Sequence, residues 1–119
     1  MAEAFEVRAS ARNLPISPQK ARLVVDTVRG KSVEAAISSL RWTPNKAAEP
    51  VFKLVQSAAA NAEENYGLDM EDLFISQIFV DDGRRLKRGR FGSRGRYKPL
   101  IKRQCHITVV LAEREFDEE

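Results

Sequence analysis

Cys105 and His106 are the chain's single thiol and single imidazole, and they are neighbours. A nucleophile needs its base within hydrogen-bond reach. The segment holding them reads as a strand, and adjacent strand residues point to opposite faces. The two cannot act as a pair, and one Cys with one His falls short of a zinc site. His106 reads as a strand residue making one hydrogen bond or touching a bound nucleic acid. Asp81-Asp82, just before Gly83, reads as bulge or turn chemistry or as a partner for a nearby Arg, rather than as metal ligands. No GxxxxGK[ST] phosphate cradle occurs. The expectation is a non-enzymatic protein with no catalytic residue, metal, cofactor or small-molecule substrate.

The chemistry of this chain is ionic and lies in one run. Arg84 to Arg103 reads RRLKRGRFGSRGRYKPLIKR, twenty residues with ten cations and no acid. The cations are Arg84, Arg85, Lys87, Arg88, Arg90, Arg94, Arg96, Lys98, Lys102 and Arg103. The other 99 residues carry ten basic and seventeen acidic groups, so the net +3 conceals an acidic body and an arm of +10. So charged a segment cannot collapse on itself and calls for a dense polyanion, with nucleic acid the leading candidate. Guanidinium forks bind phosphate bidentately, and Phe91 and Tyr97, interleaved among the cations, can stack on unpaired bases. A second basic group, Lys20, Arg22, Arg29 and Lys31, brackets a predicted helix whose N-terminus, at Ser17 and Gln19, offers N–H groups to an anion.

At 119 residues the chain has room for one small core. No apolar stretch approaches the roughly 20 residues of a membrane span, so no membrane partner is expected. The opening MAEAFEVRAS has neither a secretory h-region nor the acid-poor character of a transit peptide. A single Cys excludes an internal disulfide and suits a reducing compartment. There is no internal repeat.

The elements that must carry the arm follow from periodicity. Phe5, Val7, Ala9 and Ala11 alternate with polar residues, a half-buried first strand ended by Asn13-Leu14-Pro15. Ser17-Pro18 starts a helix, Ala21, Val24, Val25 and Val28 are its buried stripe, and Gly30 stops it. A second helix follows Ser32 with Val33, Ala36, Ile37 and Leu40 on one face. A third spans about Asn45 to Tyr66, with Ala47, Val51, Leu54, Val55, Ala58 and Ala62 inward and Gly67 as its stop. Pro50 either kinks it or marks its true first turn. Leu73–Val80 and Cys105–Ala112 are strands, the latter with Cys105, Ile107, Val109 and Leu111 on one face. The basic run between them is then the distal part of one long hairpin, with Gly83, Gly89, Gly92 and Gly95 supplying bulges or the tip. The expected fold is α+β: three helices on a small three-stranded antiparallel sheet, with a protruding basic β-hairpin. Residues 1–83 and 104–112 form the body, 84–103 the arm and 113–119 an acidic flexible tail.

Four ordered segments carry a resemblance to a known family. They are Ser17-Pro-Gln-Lys-Ala-Arg-Leu-Val-Val-Asp-Thr-Val-Arg-Gly-Lys31, Ser57-Ala-Ala-Ala-Asn-Ala-Glu63, Ile78-Phe-Val-Asp-Asp-Gly83, and Gly95-Arg96 followed by Lys102-Arg-Gln-Cys-His-Ile-Thr-Val-Val-Leu111. Over about residues 5 to 112 the chain resembles the bacterial-type large ribosomal subunit protein twenty-two, the tunnel-hairpin family. The resemblance implies a cytoplasmic, ribosome-bound structural protein, a monomer when free. Its partners would be large-subunit rRNA, neighbouring ribosomal proteins and the nascent peptide, and it would act early in assembly. It implies rRNA contacts from the ten arm cations and from Ser17, Gln19, Lys20, Arg22 and Lys31. It also places a tunnel-lining tip at Leu86, Lys87, Arg88, Arg90, Phe91, Gly92, Ser93, Arg94, Gly95 and Arg96, with Leu86-Lys87-Arg88 matching the segment linked to macrolide response. The sequence departs from the family at Phe91-Gly92-Ser93, where small residues with Pro or Ala are usual. It departs also at Pro99, expected to interrupt the return strand, and at Pro50. The alternative from another class is a DNA-architectural protein whose β-arm grips a groove.

Overall fold

The structure, a computed structural model, describes residues 6–113; Phe5 and the tail beyond Glu113 lie outside the described residues. The elements run β1 (Glu6–Leu14), α1 (Pro18–Val28), α2 (Val33–Arg41), α3 (Ala48–Tyr66), β2 (Leu73–Phe91) and β3 (Tyr97–Glu113). The sheet is antiparallel with order β1-β3-β2. The expected α+β plan is the one found. α1 packs on β2 and β3, α3 packs on β1 and β3, and α2 rests on α3.

Local chemistry sets the helix ends. Ser17 and Ser32 cap α1 and α2, accepting the N–H groups of Lys20 and Ala35 at 3.4 and 3.3 Å. α1 ends at Val28; Arg29 is already extended before Gly30 takes a φ of 80°. α3 begins at Ala48 rather than at Asn45, so Pro50 stands in its first turn, where an N–H would have no helical partner. Asn45 forms the lead-in, its side-chain oxygen accepting the Ala47 N–H at 3.1 Å. Gly67 closes α3 at φ 64°.

The buried residues, apart from Val110 and Ala112 on the other parity of β3, form one cluster between the helices and one face of the sheet. Each predicted inward residue of α3 and of Cys105–Leu111 is buried, and Ile37 is packed at the margin. Three bulges tune the sheet. Between Ile75 and Gln77 an extra β2 residue switches the inward set from Leu73 and Ile75 to Ile78 and Val80. Between Ala11 and Leu14 a β1 bulge puts Asn13 at φ 57°, and its N–H donates to His106 Nδ1 at 3.0 Å. Between Asp82 and Arg85 an extra residue marks the departure of the arm.

The arm continues the sheet as a two-stranded ladder. Seven register pairs run from Arg85↔Arg103 to Phe91↔Tyr97, roughly 23 Å at about 3.3 Å per residue. The molecule measures 72 × 25 × 23 Å, and its radius of gyration is 17.9 Å against about 13 Å for a compact domain of this length. Two expectations need correction. Gly89 is not a bulge, since it pairs in register with Pro99, and Pro99 does not interrupt β3. In a two-stranded ribbon alternate N–H groups face outward and need no ladder partner, so proline is tolerated at such positions. The tip is the turn Ser93–Gly95, with Arg94 and Gly95 both left-handed at φ 63° and 70°, closed by the Gly92 N–H donating to the Arg96 carbonyl.

Candidate nucleic-acid interface

Register decides what the arm presents. Beyond the bulge Arg85 stands opposite Arg103, and Arg90 opposite Lys98. Like charges directly across a ladder are destabilising. The last acid before the arm is Asp82, and it lies behind the bulge. The register also sets Lys87 and Arg88 opposite Ile101 and Leu100. Arg94 and Arg96 are exposed at the tip.

The bulge also brings the arm against α1. Gln19 and Arg22 of α1 share a cleft of 290 Å³ with Asp82, Arg85, Arg103 and Gln104. A second cleft, of 450 Å³, lies between Pro15 and Ser17 and the arm residues Leu86, Ile101 and Lys102. Of the second basic cluster, Arg22 thus shares a surface with the root of the arm. Gln104 and Pro15 were not singled out from sequence; the only signal was their position flanking the bulge and the first helix.

Not every predicted contact residue is equally available. Arg22 donates from Nη2 to the Val80 carbonyl at 3.1 Å and lies 3.6 Å from Asp82 Oδ1. Arg29 donates to the Ile78 carbonyl at 2.8 Å and to Asp26 Oδ1 at 2.6 Å. Both cover the outer edge of β2, and the Gly30 N–H donating to the Ile75 carbonyl extends that cover. Arg22 keeps half its side chain exposed toward the cleft. The α1 N-terminus offers fewer N–H groups than its sequence promised: Pro18 has none, and Ser17 takes that of Lys20, which leaves Gln19's. Lys20 is exposed beside it. Lys31 lies past the far end of α1, roughly 16 Å along the helix, and does not join this surface.

The apparent catalytic residues are accounted for. Cys105 is fully buried, and burial pushes its thiol up from the ordinary 9.0, with Arg22 opposing and Asp82 adding to the rise. Such a thiol is a poor nucleophile. His106 lies on the opposite face, and accepting at Nδ1 leaves its ring proton on Nε2. No group of acids, Cys and His that could hold a metal occurs among the described residues, and no helix is long and apolar enough to cross a membrane.

The sequence profile of the family described as ribosomal protein L22p/L17e matches residues 9–112. The chain belongs to that family. It is a structural protein of the large ribosomal subunit, part of the ribonucleoprotein that carries out translation, and not an enzyme. The match takes in most of β1, all three helices, β2 with the arm and nearly all of β3, so body and arm alike belong to this ribosomal protein.

Proposed function

We propose that this ribosomal protein binds large-subunit rRNA through the arm and the α1 N-terminus, acts early in subunit assembly, and lines the nascent-peptide exit tunnel with its hairpin tip. The observation that carries the reading is a ladder that sets Arg85 against Arg103 and Arg90 against Lys98, in a run from Arg84 to Arg103 that has no acid of its own. Such a ladder is relieved by phosphate packed on both of its sides, which rRNA around an inserted hairpin supplies. Phosphate contacts position the arm, while stacking and shape select the RNA fold. The body stays at the solvent side, and the residues from Leu86 to Arg96 reach inward.

The test removes Leu86-Lys87-Arg88. These residues pair with Lys102, Ile101 and Leu100, and losing an odd number from one strand forces re-pairing of everything beyond. Mutant ribosomes are expected to assemble, because the body, α1 and the bulge remain as anchors. Stalling on an arrest peptide, with and without a macrolide, is expected to change. Full occupancy with both readouts matching the parent would remove the tunnel-wall role and leave the arm as an anchor alone.

A further inference from the structure

Trp42 is the chain's single tryptophan, and its side chain stands in water. It is 82% exposed, the most exposed large hydrophobic group among the described residues. Its backbone is well fixed. It caps α2: its N–H donates to the Ser39 carbonyl at 3.3 Å, the Thr43 N–H donates to the Leu40 carbonyl at 3.2 Å, and Thr43 Oγ1 donates to the Ser39 carbonyl at 2.8 Å. An indole held at a rigid turn yet left outside the core forgoes the burial that normally makes Trp useful in a fold. It is a flat platform awaiting a partner.

The residues on either side of it, Arg41 and Thr43, line a groove of 630 Å³ floored by Leu40, Pro44 and Phe52. Lys46 and Glu49 line that groove and also the next, which runs past Lys53 to Leu14 and Pro15. Pro15 in turn lines the cleft at the arm base, with Leu86, Ile101 and Lys102. Shared lining residues make the three grooves neighbours in that order, a track that runs from the turn holding Trp42, which flanks the first groove without lining it, to the base of the arm. Its lining holds five cations, Arg41, Lys46, Lys53, Lys102 and Arg103, and one acid, Glu49, itself 3.3 Å from Lys53 Nζ. The chain outside the arm is net acidic, so a lane this poor in acids is set apart from the rest of it.

We infer that this track carries a single RNA strand from the base of the arm across the body to Trp42, whose indole stacks an unpaired base. A cationic groove that follows a backbone and ends on an exposed aromatic face is the chemistry of single-strand binding. The inference rests on the rRNA-binding reading and extends the contact surface to the far end of α3's first turn. The partner is RNA rather than a protein, because the track is continuous with the arm and shares its charge.

The single tryptophan makes the test direct. Indole fluorescence of the full chain is followed while a short oligoadenylate, or an abasic strand of equal length and charge, is added; affinity is read from the anisotropy of the labelled oligonucleotide. Oligoadenylate is expected to quench the indole and the abasic strand to bind without quenching. Trp42→Ala is expected to weaken oligoadenylate binding roughly 5- to 150-fold, the range for loss of one aromatic stack, with an unchanged melting temperature because the side chain is exposed. Trp42→Phe is expected to keep most of the affinity. An indole unmoved by bound oligoadenylate, or equal affinity of the parent and Trp42→Ala, overturns the track. If the indole is silent while the chain binds protein-free large-subunit rRNA, only the track fails. If the chain binds neither RNA, the rRNA-binding reading fails with it.

Discussion

Gly83→Ala tests the joint between body and arm. A Cβ at this position would stand 3.0 Å from the carbonyl carbon and oxygen of Gln104 and 3.2 Å from the Cys105 nitrogen. All three are backbone atoms of β3. Cys105 is paired to Leu14 on one side and Asp82 on the other, and its side chain is fully buried. The neighbour therefore cannot give way, as the end of a flexible side chain would. Gly83 is not in the left-handed region, so the cost is steric alone. Crowding of this kind costs about 1–3 kcal/mol, and replacing Gly returns about 0.4–1 kcal/mol by restricting the unfolded chain. Taking the middle of each range, the net loss is about 1–1.5 kcal/mol, which at about 4 °C per kcal/mol for a chain of this length lowers Tm by roughly 4–6 °C. Thermal melting by circular dichroism reads the loss. Amide exchange at residues 82 to 85 should accelerate beyond that of β1, because the strain is local. A variant melting at or above the parent would show that the Gln104 backbone yields, and that close approach does not fix the bulge.

Two further outcomes follow from the charge and burial of named groups. If about seven arm cations meet phosphate, the log–log salt dependence of rRNA binding should have a slope of roughly −5 to −6, and replacing Arg84 to Arg103 by a short turn should flatten it; an unchanged slope would move binding to the helices. The Cys105 thiol, raised by burial, should resist alkylation in the folded chain and react on unfolding. Because the unfolded thiol ionises first, stability should be fully present below pH 9.0 and fall as pH rises through that value toward the higher folded pKa; labelling of the native chain as fast as of the denatured one would contradict the burial.

Most of the fold was legible because its signals are local. Ser17-Pro18 and Ser32 announce helix starts, and the α3 stripe repeats at helical spacing over five turns. In Cys105 to Leu111 the inward residues share one parity because β3 is central and unbroken there, although Val110 on the other face is buried as well. β2 was harder: Leu73, Ile75, Ile78 and Val80 do not share one parity, and only the bulge at Ser76 reconciles them. Pairing is non-local, so no window of β2 alone reveals where an extra residue sits. For the same reason Gly89 and Gly83 look alike in sequence, while Gly89 pairs in register and Gly83 sits in a bulge, close against the Gln104 backbone. The arm's length of unbroken positive charge was plain from the sequence. That Arg22 serves the β2 edge as well as the cleft was not, because a carbonyl 58 residues away leaves no trace beside an arginine.

The bulge at Gly83 and Arg84 links fold to function more directly than the charge count does. Without it, strict alternation after the inward Asp82 would place Arg84 on the side of the sheet that faces α1. The extra residue gives that place to Arg85, opposite Arg103, where both line the cleft with Arg22 and Gln19. Three guanidinium groups then meet one carboxylate, Asp82, which lies nearest Arg22. The remaining charge at the arm's root is repulsive in the free protein and is relieved by an anion in the cleft. Folding therefore leaves part of the arm's electrostatic energy to be recovered on binding, at the point where the rigid, helix-backed sheet becomes a two-stranded ladder. An anion bound there would draw arm and α1 together and set the angle at which the hairpin leaves the body. A hairpin that reaches tens of ångströms from its core needs its direction set at the root, since a small change of angle there moves the tip by several times as much.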